Sequence, residues 1–240
     1  MSAIEKLNNV THAKVRIDTR YHASLGDAVM FSLVFPNEFR ALQAIYPLMF
    51  YKDSQNNTLY PIALFGFEQG ENLFLSDDSW DANVIPAMIQ RGPFLIAAEK
   101  TSGTTDDTAV IAIDTAHAKV GNDAGEALFL EFGGNTDYLD RVIGLMENIR
   151  YGHAQLPVFV EQLSQYELIT PLTINITLDD GSSHQLAGFY GLDDERLQAL
   201  DAEALDRLNK QGALLPAYMM LASQSQLQLL VQRKNKRITR

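Results

Sequence analysis

The stretch that decides the fold is Leu172–Leu192, LTINITLDDGSSHQLAGFYGL. Its two halves, LTINITL and SHQLAGFYGL, flank Asp179-Asp180-Gly181, where Gly181 supplies the positive φ that a tight turn needs. This predicts an antiparallel β-hairpin, and the chain beyond it is helical. Asp193 or Asp194 caps a helix carrying Leu197 and Leu200, and Asp201 caps a second with Leu205 and Leu208 that Gly212 ends. AYMMLASQSQLQLLVQRKNK, Ala217–Lys236, continues as helix.

Toward the N-terminus, a second hairpin is read in PLMFYKD and TLYPIALFGF, joined by Ser54-Gln55-Asn56-Asn57. HAKVRI (His12–Ile17), AVMFSLVF (Ala28–Phe35), FLIAAE, AVIAID and EALFLEF (Glu126–Phe132) read as strands. Pro36-Asn37 opens a short helix with Asn37 as N-cap and Phe39 and Leu42 on one face. KTSGTTDDT is a loop, and Gly133-Gly134 a turn in preference to an anion-binding nest. Thr136 caps a helix with Leu139, Val142, Ile143, Met146 and Ile149 at helical spacing; Pro157 interrupts it, and a further helical segment reaches about Tyr166. The fold class is therefore α+β: antiparallel hairpins packed with several helices, and a helix-rich C-terminal part. Phe65-Gly66-Phe67 and Tyr190-Gly191-Leu192 each come after a hairpin and precede acidic residues. With no Pro-, Gly- or Ser-rich linker, the expectation is one composite domain over 1–240, built from two similar hairpin units at about 12–100 and 167–212.

The composition, 46% hydrophobic and 20% charged, is that of a globular chain. The absence of cysteine excludes disulfides and thiolate chemistry. No apolar run reaches the ~20 residues of a membrane helix, so membrane insertion is not expected. The first residues do not read as a secretory leader, and a cytoplasmic location is the expectation. Net charge is −11, but Arg233, Lys234, Lys236, Arg237 and Arg240 place five cations in the tail and leave −16 for the remainder. A body that acidic repels phosphate backbones, so nucleic acid is an unlikely partner. The tail reads as a frayed helix end whose cations complement the C-terminal dipole.

His12, His22, His117, His153 and His184 show no metal-ligand spacing, and no phosphate-binding or dinucleotide-binding loop and no nucleophile elbow is present. No cofactor is expected. The densest block is Asn72–Phe94, NLFLSDDSWDANVIPAMIQRGPF. Asp77, Asp78 and Asp81 could chelate a hard cation, but a turn with a helix cap is the favoured reading. Trp80 is an anchor for a ligand or partner if exposed, and a core-edge filler if not. Arg91 either holds an anion in its fork or ties Asp77 or Asp78 to the helix end.

Glu38-Phe39, Tyr46-Pro47, Phe50, Gly66, Asn72-Leu73-Phe74, Trp80, Ile85-Pro86-Ala87, Arg91 and Pro93-Phe94 resemble the signature of bacterial SapC-family proteins. The resemblance continues through Leu130–Gly134, Gly188–Leu192, Asp193, Asp194 and Leu197, and Gly212, Tyr218 and Ser223. Where the family pattern has a Tyr before Ile-Pro-Ala, paired arginines before Pro-Phe and a late His, this chain has Val84, Gln90-Arg91-Gly92 and Met219 or Met220. The resemblance implies a bacterial protein linked by name to surface arrays, with relatives near TonB-dependent receptors and flavin-dependent halogenases. It does not imply the peptide-transporter permease of the same name, which would need membrane spans.

The leading expectation is a non-catalytic accessory or binding protein for a small molecule or a protein partner, with a groove formed by Trp80, Asn72, Arg91 and Tyr218. The alternative is an enzyme whose site is assembled in space from an Asp of the acidic turn, Arg91 and a distant His. A third reading makes LLPAYMMLA (Leu214–Ala222) an apolar interface in a homo-oligomer.

Overall fold

A computed structural model describes residues 3–100 and 107–239 and shows an α+β protein with antiparallel sheets. The Lys100–Thr108 loop expectation falls largely outside the described residues. The chain divides into two compact units. The first gathers residues 1–27, 77–79 and 87–151, and the second residues 28–76, 80–86 and 152–240.

The second unit is built on a five-stranded antiparallel sheet. Its order is Ile169–Thr177, Ser183–Leu192, Leu48–Lys52, Leu59–Leu64 and Phe31–Leu33. The expected hairpin forms its edge, paired from Ile169 with Leu192 to Thr177 with Ser183. Gly181 sits at φ 83 in the turn, a conformation that a side chain would oppose. Ile174, Ile176 and Leu178 alternate inward, as a half-buried strand requires. The central strand is different: consecutive Leu48, Met49 and Phe50 are all fully buried, so both of its faces are covered. Phe159 stacks on Phe50 at 6.2 Å and meets Phe39 edge-on at 5.8 Å. The helix Leu214–Ala222 buries Ala217 and Met220 and leaves Leu215 and Tyr218 outward. Next to it, the Ser223 hydroxyl accepts from the Leu48 amide at 2.8 Å.

Several local readings are corrected. Pro157 does not interrupt its helix, which runs from Asp137 to Gln165. The lost backbone bond costs roughly 3 kcal/mol, and burial of Leu156, Phe159 and Leu163 around it offsets that. HAKVRI shortens to Arg16–Ile17, because the Asn8 side chain accepts from the amides of Val10 and Thr11 and holds the preceding residues in a turn. EALFLEF keeps strand form only at Glu126–Ala127, since Leu130 and Gly133 close a turn that leaves Phe132 in solvent. Asn37 is not the cap: the Glu38 carboxylate accepts from the Phe35 amide at 2.9 Å instead. The expected caps at Thr136, Asp193 and Asp201 do form.

The basic tail is not frayed. Gln226–Ile238 is a helix, and its cations fasten the chain on both sides of Trp80. Arg233 donates to the Asp81 carboxylate at 2.7 Å and lies 4.4 Å over the Phe74 ring. Lys234 bonds Glu71 at 2.6 Å and reaches Glu68 at 3.4 Å, and Arg237 donates to the Leu75 carbonyl. Burial opposes the Lys234 charge, but the hydrogen bond it donates to Glu71 and the charges of Glu71 and Glu68 outweigh it and raise the pKa.

The first unit carries the sheet Ile4–Lys6, Asp107–Asp114 and Phe94–Lys100, and a smaller one in which Arg16–Ile17 lies between Val120–Gly121 and Glu126–Ala127. Ile17, Phe94, Ile113, Leu128, Leu139 and Val142 form its core. Among the described residues no helix is long and apolar enough to cross a membrane.

Replacing Lys234 by Ala should lower stability by about 1.5–3 kcal/mol in urea titration, since it removes a charged hydrogen bond from a half-dry site. The wild-type advantage should persist up to about pH 10 and vanish as the raised lysine pKa is passed. An unchanged midpoint would show that the clamp is not stabilising.

Candidate functional site

Trp80 lies in the core of the second unit at 8% exposure. Its indole N–H donates to the Tyr46 hydroxyl at 2.8 Å, which in turn donates to the Val84 carbonyl. Phe65 meets it edge-on at 5.1 Å and Phe74 stacks on it. This is the core-filling arrangement that the sequence left open beside the anchoring one. Asn72 is buried and its side-chain oxygen accepts from the Phe74 amide, closing an Asx turn. Tyr218 is exposed on the helix Leu214–Ala222 of the same unit.

Arg91 belongs to the first unit. It is half-buried, donates to the Phe94 carbonyl at 2.8 Å and leaves its Nε without a partner. Burial lowers its pKa. Among the described residues it makes no ion pair with the acidic turn. Asp78 pairs with Arg20 at 3.2 Å, Asp81 pairs with Arg233, and Asp77 takes the left-handed turn position at φ 51. Among the described residues, no group of three or more His, Asp or Glu could hold a metal ion.

The side chains that do converge lie elsewhere in the first unit, around a cavity of about 180 Å³. One wall is the segment Asp18–Tyr21, delivered by the short strand Arg16–Ile17. That strand depends on Gly125, where a Cβ would stand 2.3 Å from the Ile17 carbonyl oxygen. The facing wall is the first part of the helix that Thr136 caps. Tyr138, Arg141, Val142 and Leu145 succeed one another at helical spacing along that wall.

Lys119 anchors the floor. Its ammonium is 3.0 Å from the Asp27 carboxylate, donates to the Arg20 carbonyl at 3.0 Å, and lies 4.4 Å over the Tyr21 ring. These three contacts use its three donors. Both charged side chains are almost fully buried, at 5% and 7% exposure. The other oxygen of Asp27 accepts from the His22 amide at 2.9 Å, so the pair is held by the backbone on two sides. The Lys119 amide in turn donates to His117 Nδ1 at 3.1 Å, which fixes that nitrogen as an acceptor. Burial, reinforced by Lys119 and Arg91, lowers the His117 pKa.

The phenols are kept neutral. Burial, with the Asp27 charge second, pushes Tyr21 up to about 12. Burial does the same to Tyr138, aided by Tyr21 and Glu126. At the rim, Arg20 clasps Asp18 through Nε and Nη2, the latter at 2.6 Å, and this hydrogen bonding holds the Asp18 carboxyl near about 2. The lining thus offers the Tyr138 hydroxyl, aromatic faces and one exposed cation, Arg141. Within it, Asp18 is held by Arg20 and the Lys119 ammonium by Asp27.

The family profile described as SapC matches residues 7–230, and the chain belongs to the SapC family. No curated protein and no solved structure matches it.

Sequence reasoning missed Lys119, Asp27, Tyr21 and Tyr138. The one signal for them was the presence of Tyr138 and Arg141 beside an otherwise apolar helical stripe.

Lys119→Met should destabilise the protein by about 3–5 kcal/mol, because it strips the ammonium from a buried carboxylate. Adding Asp27→Asn should recover part of that loss, giving a double-mutant coupling above ~1 kcal/mol in urea titration. Strictly additive losses would contradict a coupled buried pair. The Asp18 contribution carries the opposite pH sign to that of Lys234. It is fully present above about pH 4 and fades as pH falls toward about 2. Asp18→Asn should therefore flatten the acid limb of the stability curve.

Proposed function

We propose that this SapC-family protein is a non-catalytic binding or accessory protein that captures a small molecule in the cavity lined by Tyr21, Tyr138, Arg141 and Lys119. The observation that carries the reading is the buried Lys119–Asp27 pair. A charged pair is costly to desolvate, and here it fixes the floor of a cavity rather than filling a core. A preformed concave site with aromatic walls and a few convergent polar groups is the arrangement that small-ligand recognition uses. Against catalysis stands the state of those groups. Phenols held protonated donate hydrogen bonds but do not abstract protons at neutral pH, and the carboxylates are committed to cations. The family resemblance supports placing such a role in a cell-surface or uptake system of a bacterium.

A thermal-shift screen of small metabolites against the wild type and Leu145→Trp tests the proposal. Leu145 lines the cavity, and an indole there occupies ligand volume. A true ligand at about 100 times its Kd should add roughly 2.7 kcal/mol of apparent stability to the wild type. It should add little to the variant, whose circular dichroism stays native. Equal shifts in both proteins would place binding elsewhere, and turnover of any ligand would refute the non-catalytic reading.

A further inference from the structure

The charges around the cavity do not cancel. Lys119 is matched by Asp27 and Asp18 by Arg20. Arg141 also lines the cavity, is exposed, and makes no ion pair with any described residue. Its guanidinium lies 5.9 Å from the centre of the Tyr138 ring. Within the lining, therefore, the one charge left over is positive, although the chain as a whole carries −11. An acidic surface repels anions, so a cation kept at a cavity mouth is a selective feature there.

Guanidinium is the group best matched to a planar or tetrahedral oxyanion, because its fork presents two parallel N–H donors. The Tyr138 hydroxyl, held protonated within the same lining, adds a neutral donor. Asp18 would repel an oxyanion if it were free, but Arg20 holds both of its oxygens. Glu126, Asp137 and Asp140 are acidic groups near Tyr138, and all three stand outside the lining.

Resting on the reading of the cavity as a small-ligand site, we infer that its ligand carries an oxyanion, a carboxylate or a phosphate, received by Arg141 at the mouth. The rest of the ligand is a ring-sized body that lies between Tyr21 and Tyr138, since the aromatic walls and a volume of about 180 Å³ leave room for little more. Arg141 and Tyr138 recognise; Lys119 and Asp27 hold the walls that position them.

The test uses the full chain and three probes of one shape: benzoate, phenyl phosphate and neutral benzamide, titrated by calorimetry. At least one anion should bind about tenfold more tightly than benzamide, and whichever binds better tells carboxylate from phosphate. Arg141→Gln should erase that preference while leaving benzamide unchanged, Arg141→Lys should restore part of it, and Glu126→Gln should tighten the anion a few-fold. Raised salt should weaken the anion and spare the amide. If benzamide binds as well as the anions and Arg141→Gln changes neither, the oxyanion class is overturned while the cavity reading stands. If none of the three shows binding that Tyr138→Ala abolishes, both fall together.

Discussion

The interaction on which the candidate site depends is the ion pair between Lys119 and Asp27. Two opposite charges withdrawn from water lose several kcal/mol of hydration each, and only close geometry with further hydrogen bonds offsets that loss. Here the offsets are the Arg20 carbonyl, the His22 amide and the Tyr21 ring. Each is supplied by the segment 20–27, so satisfying the lysine also shapes the wall of the cavity. The adjoining Asp18 amide donates to the Lys119 carbonyl at 2.8 Å, which locks the wall to the floor through backbone as well.

The Asn72–Phe94 block, the most distinctive in the sequence, is divided between the two units. Residues 72–76 and 80–86 belong to the second unit, and residues 77–79 and 87–94 to the first. A chain that changes unit several times within so few residues needs a left-handed turn at Asp77, an Asx turn at Asn72 and a buried anchor at Trp80. Trp80 serves as an anchor for Phe65, Phe74 and Tyr46, and the basic C-terminal helix holds the same loop from outside through Arg233 and Lys234.

How much of the molecule is legible in the sequence depends on how local the causes are. The Gly181 turn, the alternating Ile174 and Ile176, and the caps at Asp193 and Asp201 depend on neighbours a few residues away, and all are legible. Pro157 misleads because a rule about isolated helices does not hold where Phe159 and Leu163 bury the flanking turns. The tail cations point to their own helix dipole when read locally, whereas their partners Glu71 and Asp81 lie far back in the chain. Lys119 and Asp27 are invisible for the same reason: each alone is an ordinary charged residue, and only folding makes them a buried pair.

The central claim concerns the state of one ammonium group, and nitrogen-15 NMR of the lysine side chains observes it directly. If Lys119 is enclosed by Asp27, the Arg20 carbonyl and the Tyr21 ring, its ammonium protons should exchange slowly enough to be seen at neutral pH. They should also be shifted upfield by the ring, and both features should disappear in Tyr21→Leu or Asp27→Asn. A Lys119 signal that exchanges with water as fast as those of surface lysines, with no ring-current shift, would contradict the account.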